Sequence, residues 1–274
     1  VGWIIVWIIQ EGKDMVIVGD VLNAIKFLPK YSFDMVITSP PYYRRRKFRV
    51  VTEFPDGWVG ELGWEPSPEM YVDHLAYIFK KISDKMCECC PILVNIDDTK
   101  VLFNDKDERI VFNRVGGRHI DISGLLIQKM EDYGLKFNHK FILIKKYFDI
   151  KKNKLIKLDN RPIVSHSFEY ALLFTKSYDC FSDIVYESDV ITMKREYVTQ
   201  SLYHPAKTPF EFIEYFINLL TKESDTILDP FGGTGTVGVI ARENNRHFIL
   251  IEAIPQYINF DVIFGNHKAR QINI

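Results

Sequence analysis

The sequence predicts an α/β protein built on a doubly wound, mostly parallel sheet, and three observations carry that expectation. Short apolar runs rich in β-branched residues alternate with stretches of helical period along most of the chain. One such run ends in a glycine-rich turn near the C-terminus, and another ends in a proline-proline turn near the N-terminus. The 274 residues, 47% of them hydrophobic, can fill a substantial core, which excludes overall disorder.

Taken in order, Met15–Gly19 reads as a buried strand, Val21–Leu28 as a helix stopped by Pro29, and Asp34–Thr38 as a strand entering Pro40-Pro41. Ser67 and Pro68 supply a cap and a first helical position; Leu75, Ile78, Phe79, Ile82 and Met86 then share one face. A strand over Ile92–Ile96 follows, then a helical stripe of Ile122, Leu125, Leu126 and Met130, then strands over Phe137–Ile144 and Phe168–Thr175. Thr208, Pro209 and Glu211 form a capping box that opens a helix through Phe210, Ile213, Ile217 and Leu220. The strand Thr226–Leu228, the turn Asp229–Gly238, a helix to about Glu243 and the strand Phe248–Ile251 complete the alternation.

Residues 99–118 and 149–166 break that rhythm and read as insertions, where substrate selection often resides. Residues 1–14 precede Met15 and read as an appendage outside a single domain of residues 15–274. The apolar opening Val1–Ile9 is too short to span a bilayer and lacks the features of an export signal.

With 35 Lys plus Arg against 36 Asp plus Glu, bulk charge cannot hold nucleic acid, so any such site is a local patch. Four cysteines, three of them crowded as Cys87, Cys89 and Cys90, lack the density of a secreted disulfide scaffold. They read as buried packing in a reducing cytoplasm, with no metal set. The scattered His119, His166 and His204 read as structural.

In Thr226-Ile-Leu-Asp-Pro-Phe-Gly-Gly-Thr-Gly-Thr236 a strand ends in a tight turn that opens a helix, so backbone amides and a positive helix end face whatever sits there. Gly233, Gly235 and Gly238 satisfy GxGxxG, and Glu252 ends the next strand, where a carboxylate can accept ribose hydroxyls. Three readings are open: a dinucleotide site, a nucleoside site without phosphates, and a structural turn. Asp229 favours the second, because a carboxylate there repels a pyrophosphate and suits the cationic amino-acid end of S-adenosylmethionine.

Thr38-Ser-Pro-Pro-Tyr42 stands where open α/β sheets place ligands, at the C-terminal end of a strand. Its rigid carbonyls and the Ser39 hydroxyl can accept hydrogen bonds from an amino group, and the Tyr42 ring offers a stacking surface. The exocyclic amine of cytosine or adenine is a poor nucleophile because its lone pair is delocalised into the ring. Acceptors around the NH₂ localise that pair and aim it at a methyl donor. The bland alternative is a strand terminator carrying a surface tyrosine.

Together the two turns resemble those of the amino-methylating DNA methyltransferases, which modify cytosine N4 or adenine N6 with S-adenosylmethionine. TSPPY resembles the catalytic motif and DPFGGTGT the cofactor motif, in the order of the circularly permuted β class, over about Val16 to Tyr257. The resemblance implies catalytic roles for Ser39, Pro40, Pro41 and Tyr42. It implies cofactor contacts from Asp20 of Gly19-Asp20, from Lys207 and Thr208 of His204-Pro-Ala-Lys-Thr-Pro209, and from Asp229, Pro230, Phe231, Gly233, Thr234, Gly235, Thr236 and Glu252. Gly60-Glu-Leu-Gly-Trp-Glu-Pro66, Val94-Asn-Ile-Asp-Asp98 and Glu169-Tyr-Ala-Leu-Leu-Phe-Thr-Lys176 are further similar blocks. Serine before Pro-Pro is the family's usual sign of cytosine N4. A tryptophan usual near Ile144-Lys145 and a glycine common at Asp97 are missing, which bears on packing.

The same resemblance divides the chain into a catalytic half over 15–98, DNA-recognition insertions over 99–118 and 149–200, and a cofactor half over 201–260. A duplex base must flip out to reach such a pocket, so phosphate contacts have to offset a few kcal/mol. Arg44, Arg45, Arg46, Lys47 and Arg49 follow Tyr42-Tyr43 and are the expected contacts; Lys145, Lys146, Lys151, Lys152, Lys154 and Lys157 form either a second edge or a solvated face. The expected partners are double-stranded DNA and a cognate restriction endonuclease. The rival reading, a dinucleotide-dependent oxidoreductase, leaves TSPPY unexplained.

Overall fold

Five of the apolar runs become parallel neighbours in one sheet, in the spatial order Ile92–Ile96, Met35–Thr38, Thr226–Asp229, His247–Glu252 and Asp14–Val18. The computed structural model describes residues 7–104, 107–110, 118–149, 154–155, 168–196, 210–264 and 270–273. Phe168–Thr175 joins the Ile92 strand antiparallel, and Lys136–Asp149 joins Phe168–Thr175 in the same sense, so the sheet is parallel at its centre and mixed at this flank.

Both faces are covered, as a parallel sheet requires. Helices Val21–Phe27, Pro68–Ser83 and Ile122–Asp132 lie on one side, and Phe210–Leu220, Thr236–Glu243 and Phe260–Phe264 on the other. Period-two alternation sorts each central strand between the two cores: Val36, Val94 and Ile249 face the first, while Ile37, Leu93 and Leu250 face the second. Ser67 caps its helix as expected, accepting from the Met70 amide at 3.2 Å, with Pro68 in the first turn.

Three sequence expectations change. The segment preceding Met15 is not wholly an appendage: Trp7–Glu11 pairs antiparallel with Asp14–Val18 around Gly12, and Ile8 is buried. Once the chain turns back at Gly12, the apolar strand has a sheet edge to cover. Within 99–118 the described residues hold regular structure, since Thr99–Asn104 pairs with Asp107–Ile110 and with Arg118–Ile120 in a small antiparallel sheet. The cysteines are disulfide-bonded, Cys87 to Cys90 and Cys89 to Cys180. The second bridge was invisible in the sequence because its partners are 91 residues apart and the fold brings their Cα atoms to 5.3 Å. Among the described residues, no helix is long and apolar enough to cross a membrane.

Candidate active site

The two turns singled out in the sequence open from adjacent parallel strands. Val36 pairs with Leu228, and just beyond that pair Thr38 Oγ1 donates to Asp229 Oδ1 at 2.6 Å, which locks the two strand ends together. Both turns then contribute to one cavity of about 230 Å³, walled by Ser39, Pro40, Pro41 and Tyr42 from one and by Pro230, Phe231 and Gly233 from the other.

The glycine turn is shaped by backbone geometry and by two carboxylates. Gly235, at φ +83°, holds the left-handed conformation from which the helix starting at Thr236 departs, and a Cβ there would meet Ile263. Glu252 Oε2 accepts the Gly233 amide at 2.7 Å and its Oε1 accepts the Ile254 amide at 2.7 Å. Burial pushes the Glu252 carboxyl up to about 7 against the pull of those amides. Asp229 is likewise raised by burial, to about 6, although Thr38 and the Phe231 amide both donate to it. The Gly233 amide that a pyrophosphate would need is therefore already taken by a carboxylate, which counts against the dinucleotide reading.

The expected cofactor residues separate into two groups. Asp20, Pro230, Phe231, Gly233 and Glu252 line the cavity, whereas Asp229, Thr234, Gly235 and Thr236 are not among its lining residues and instead build the turn. Asp20 also caps the helix Val21–Phe27 through the Leu22 and Asn23 amides and accepts from Thr52 Oγ1 at 2.6 Å. Lys207 and Thr208 lie outside the described residues.

In the proline-proline turn the side chains form a connected set. Ser39 Oγ donates to the Tyr42 hydroxyl at 3.2 Å, and that hydroxyl donates to Glu169 Oε2 at 3.0 Å. The same Glu169 oxygen accepts from Asn95 Nδ2 at 3.0 Å. Burial, and then the charge of Glu169, holds the Tyr42 phenol well above its ordinary value, so it stays protonated at neutral pH. The backbone is fixed from outside: Tyr71 donates to the Pro41 carbonyl at 2.8 Å, and Gly63, at φ +92°, comes so close that a Cβ would lie 3.0 Å from the Tyr42 carbonyl oxygen.

The arginine run does not form one outward cationic face. Arg45 turns inward, where it pairs with the buried Asp97 and lies 5.0 Å from the centre of the Tyr42 ring, so an unpaired buried aspartate is avoided at the expense of an outward phosphate contact. Arg44 packs over Tyr43 and Trp64, and Arg46 lines the cavity. Lys47 and Arg49 are exposed. Asn95, Glu169, Thr52 and Tyr257, which the sequence motifs do not single out, also line the cavity. Asn95 and Glu169 did carry a signal, each being a polar residue in an otherwise apolar strand; Thr52 and Tyr257 carried none.

The N6_N4_Mtase family model, described as DNA methylase, matches residues 33–263 and so takes in both turns. The chain belongs to this DNA methylase family. Across 269 residues the methylase is 26% identical to the Type II methyltransferase M.MwoI of Methanothermobacter wolfeii, a match covering 95% of this chain and 36% of that protein. It is 27% identical to the Type II methyltransferase M.Cfr9I of Citrobacter freundii, covering 89% and 85% of the two. Among solved structures, the PvuII DNA methyltransferase, designated cytosine-N4-specific, superposes with a TM-score of 0.64 at 20% identity over 90% of this chain and 84% of that one. A DNA modification methylase from Thermus thermophilus, complexed with S-adenosyl-L-methionine, gives a TM-score of 0.59 at 19% identity over 88% of each chain. The fold of the methylase is thus the expected one.

Proposed function

We propose that this methylase transfers a methyl group from S-adenosylmethionine to the exocyclic N4 of a cytosine flipped out of duplex DNA. The observation that carries the reading is the meeting of the Ser39–Tyr42 turn and the Pro230–Gly233 turn in one cavity.

The cavity's chemistry fits the cofactor. Glu252 and Asp20 are carboxylate acceptors suited to ribose and adenine, and Phe231, Ile254 and Tyr257 supply apolar walls. S-adenosylmethionine supplies a sulfonium-bound methyl group when bound. Asp229 holds the turn in place and adds negative charge near the cofactor's cationic end, while Lys207 and Thr208 extend the set. The rigid Pro40-Pro41 backbone holds Ser39 Oγ where it accepts a hydrogen of the amine, drawing the nitrogen toward tetrahedral geometry, and Tyr42 stacks on the base. Lys47 and Arg49 hold phosphates, with Arg44 and Arg46 nearer the base and Arg45 fixing the wall.

Serine before Pro-Pro favours cytosine N4, and the superposition on a protein designated cytosine-N4-specific supports it. Adenine N6 is the second reading, because the matched family spans both targets. The Type II designation of the relatives supports a partner endonuclease from which methylation shields host DNA. Within the domain, residues 15–98 serve catalysis, 99–118 and 149–200 DNA recognition, and 201–260 the cofactor. Incubation with methyl-labelled S-adenosylmethionine and unmethylated DNA, followed by digestion to nucleosides, tests the reading. Label on N4-methyldeoxycytidine is expected; label on deoxyadenosine moves the target to N6, and unlabelled DNA removes the assignment.

A further inference from the structure

Two hydrogens on the target amine call for two acceptors, and a hydroxyl or an amide accepts only if its own hydrogens are engaged elsewhere. At the cavity wall that condition is met from a single point. Glu169 is 6% exposed and surrounded by donors: the Tyr42 hydroxyl at 3.0 Å, Asn95 Nδ2 at 3.0 Å, and Arg45 Nη1 at 4.0 Å. A carboxylate can only accept, so it fixes the direction of both hydrogen-bonded arms.

Along the first arm Tyr42 donates to Glu169 and Ser39 donates to Tyr42, which leaves the Ser39 lone pairs to receive a hydrogen. Along the second, the NH₂ of Asn95 is committed to Glu169 and its Oδ1 is left over. That oxygen is buried and has no hydrogen-bond partner among the described residues, on a side chain that lines the cavity. A buried acceptor without a partner costs about 1–3 kcal/mol, so the site is built to receive a donor there.

We infer that Glu169 is a positioning residue that commits Ser39 and Asn95 together to accepting, making Asn95 Oδ1 the second acceptor for the target amine and selecting amino-bearing bases over keto-bearing ones. A thymine or uracil would present a carbonyl oxygen to two lone pairs and be repelled. This rests on the amino-methylation reading above and deepens it.

The test uses Glu169→Gln. With Arg45 near Oε1, the glutamine oxygen is favoured on that side and its NH₂ faces Tyr42 and Asn95, reversing both arms. The saturated rate of methyl transfer is expected to fall about a hundredfold, with S-adenosylmethionine affinity by calorimetry changed less than twofold. Asn95→Ala is expected to lose about tenfold in rate with the same affinity. Adding Asn95→Asp to Glu169→Gln restores an acceptor whichever way the glutamine turns, and about tenfold of the rate is expected to return, one arm of two. A Glu169→Gln rate equal to that of the unaltered protein, an undiminished Asn95→Ala rate, a double variant no faster than Glu169→Gln, or a loss of cofactor affinity matching the loss of rate overturns the inference. Absence of methyl transfer by the unaltered protein would instead strike the proposed function.

Discussion

Thr38 Oγ1 donates to Asp229 Oδ1 at 2.6 Å across 191 residues of chain, joining the strand that delivers the proline-proline turn to the strand that delivers the glycine turn. The bond ties together the two loops that wall the cavity. Thr38→Val removes a donor from a buried carboxylate and is expected to cost about 1–3 kcal/mol by chemical denaturation. Burial raises Asp229 to about 6, so its contribution to stability is complete below its unfolded value and is lost as pH rises through about 6. Thr38 favours the charged form, and the cost of losing it should therefore be larger at pH 8 than at pH 5. Equal costs at both would show that the bond does not bear on the charge.

Glu252, proposed to accept the ribose hydroxyls, is expected to set a pH dependence of cofactor binding. With its carboxyl raised to about 7, it favours the folded, ligand-free protein at low pH and loses that contribution as pH rises through about 7. Ribose hydroxyls donate best to the ionised form, so calorimetry should show S-adenosylmethionine binding tightening between pH 6 and 8. Glu252→Gln should weaken binding and flatten that dependence.

Ser39→Ala removes the hydroxyl proposed to accept from the amine while leaving the glycine turn intact. Turnover is expected to fall about a hundredfold, with cofactor affinity changed less than twofold. A parallel loss of both in titration and rate measurements would place Ser39 in the cofactor site instead.

The basic loop should divide by direction. Arg45→Ala strips the guanidinium from Asp97, which is 2% exposed, and is expected to cost about 3 kcal/mol of stability. Lys47→Ala and Arg49→Ala, both at exposed positions, should leave the melting temperature unchanged. Each should lower the salt slope of DNA binding by about 1, measured by anisotropy across a salt series.

His74 clasps the segment between the proline-proline turn and the helix Pro68–Ser83. Its ring stacks 3.8 Å from Phe54, and its nitrogens lie 3.1 Å from Glu65 and 3.1 Å from Asp56. Burial lowers its basicity, but the two carboxylates outweigh burial and raise it above the ordinary value. Its stabilisation is thus full below about pH 6.5 and is lost as pH rises through the raised value. His74→Leu should remove that part of the pH dependence in melting scans between pH 5.5 and 9.

Much of the fold was legible because strand and helix periods are local. The strands Ile92–Ile96 and Phe168–Thr175 match their predicted bounds to the residue, and Ser67-Pro68 marks its helix start directly. The Cys89–Cys180 bridge and the antiparallel pairing of Trp7–Glu11 were not legible, since each depends on a partner chosen by the fold. In the site, TSPPY and DPFGG were visible because rigid turns need proline and glycine. The inward turn of Arg45 was hidden, because nothing adjacent in sequence announces the buried Asp97 that captures it.

By itself the sequence determined which chemistry was available: a turn able to accept hydrogens from an amine, a turn able to hold a nucleoside, and the alternation that sets both at strand ends. Only the tertiary structure decided that these ends are neighbours and that Glu169 stands behind Tyr42 and Asn95. The reason is that backbone conformation follows local residue types, whereas burial brings distant polar groups together and obliges each to find its partner there.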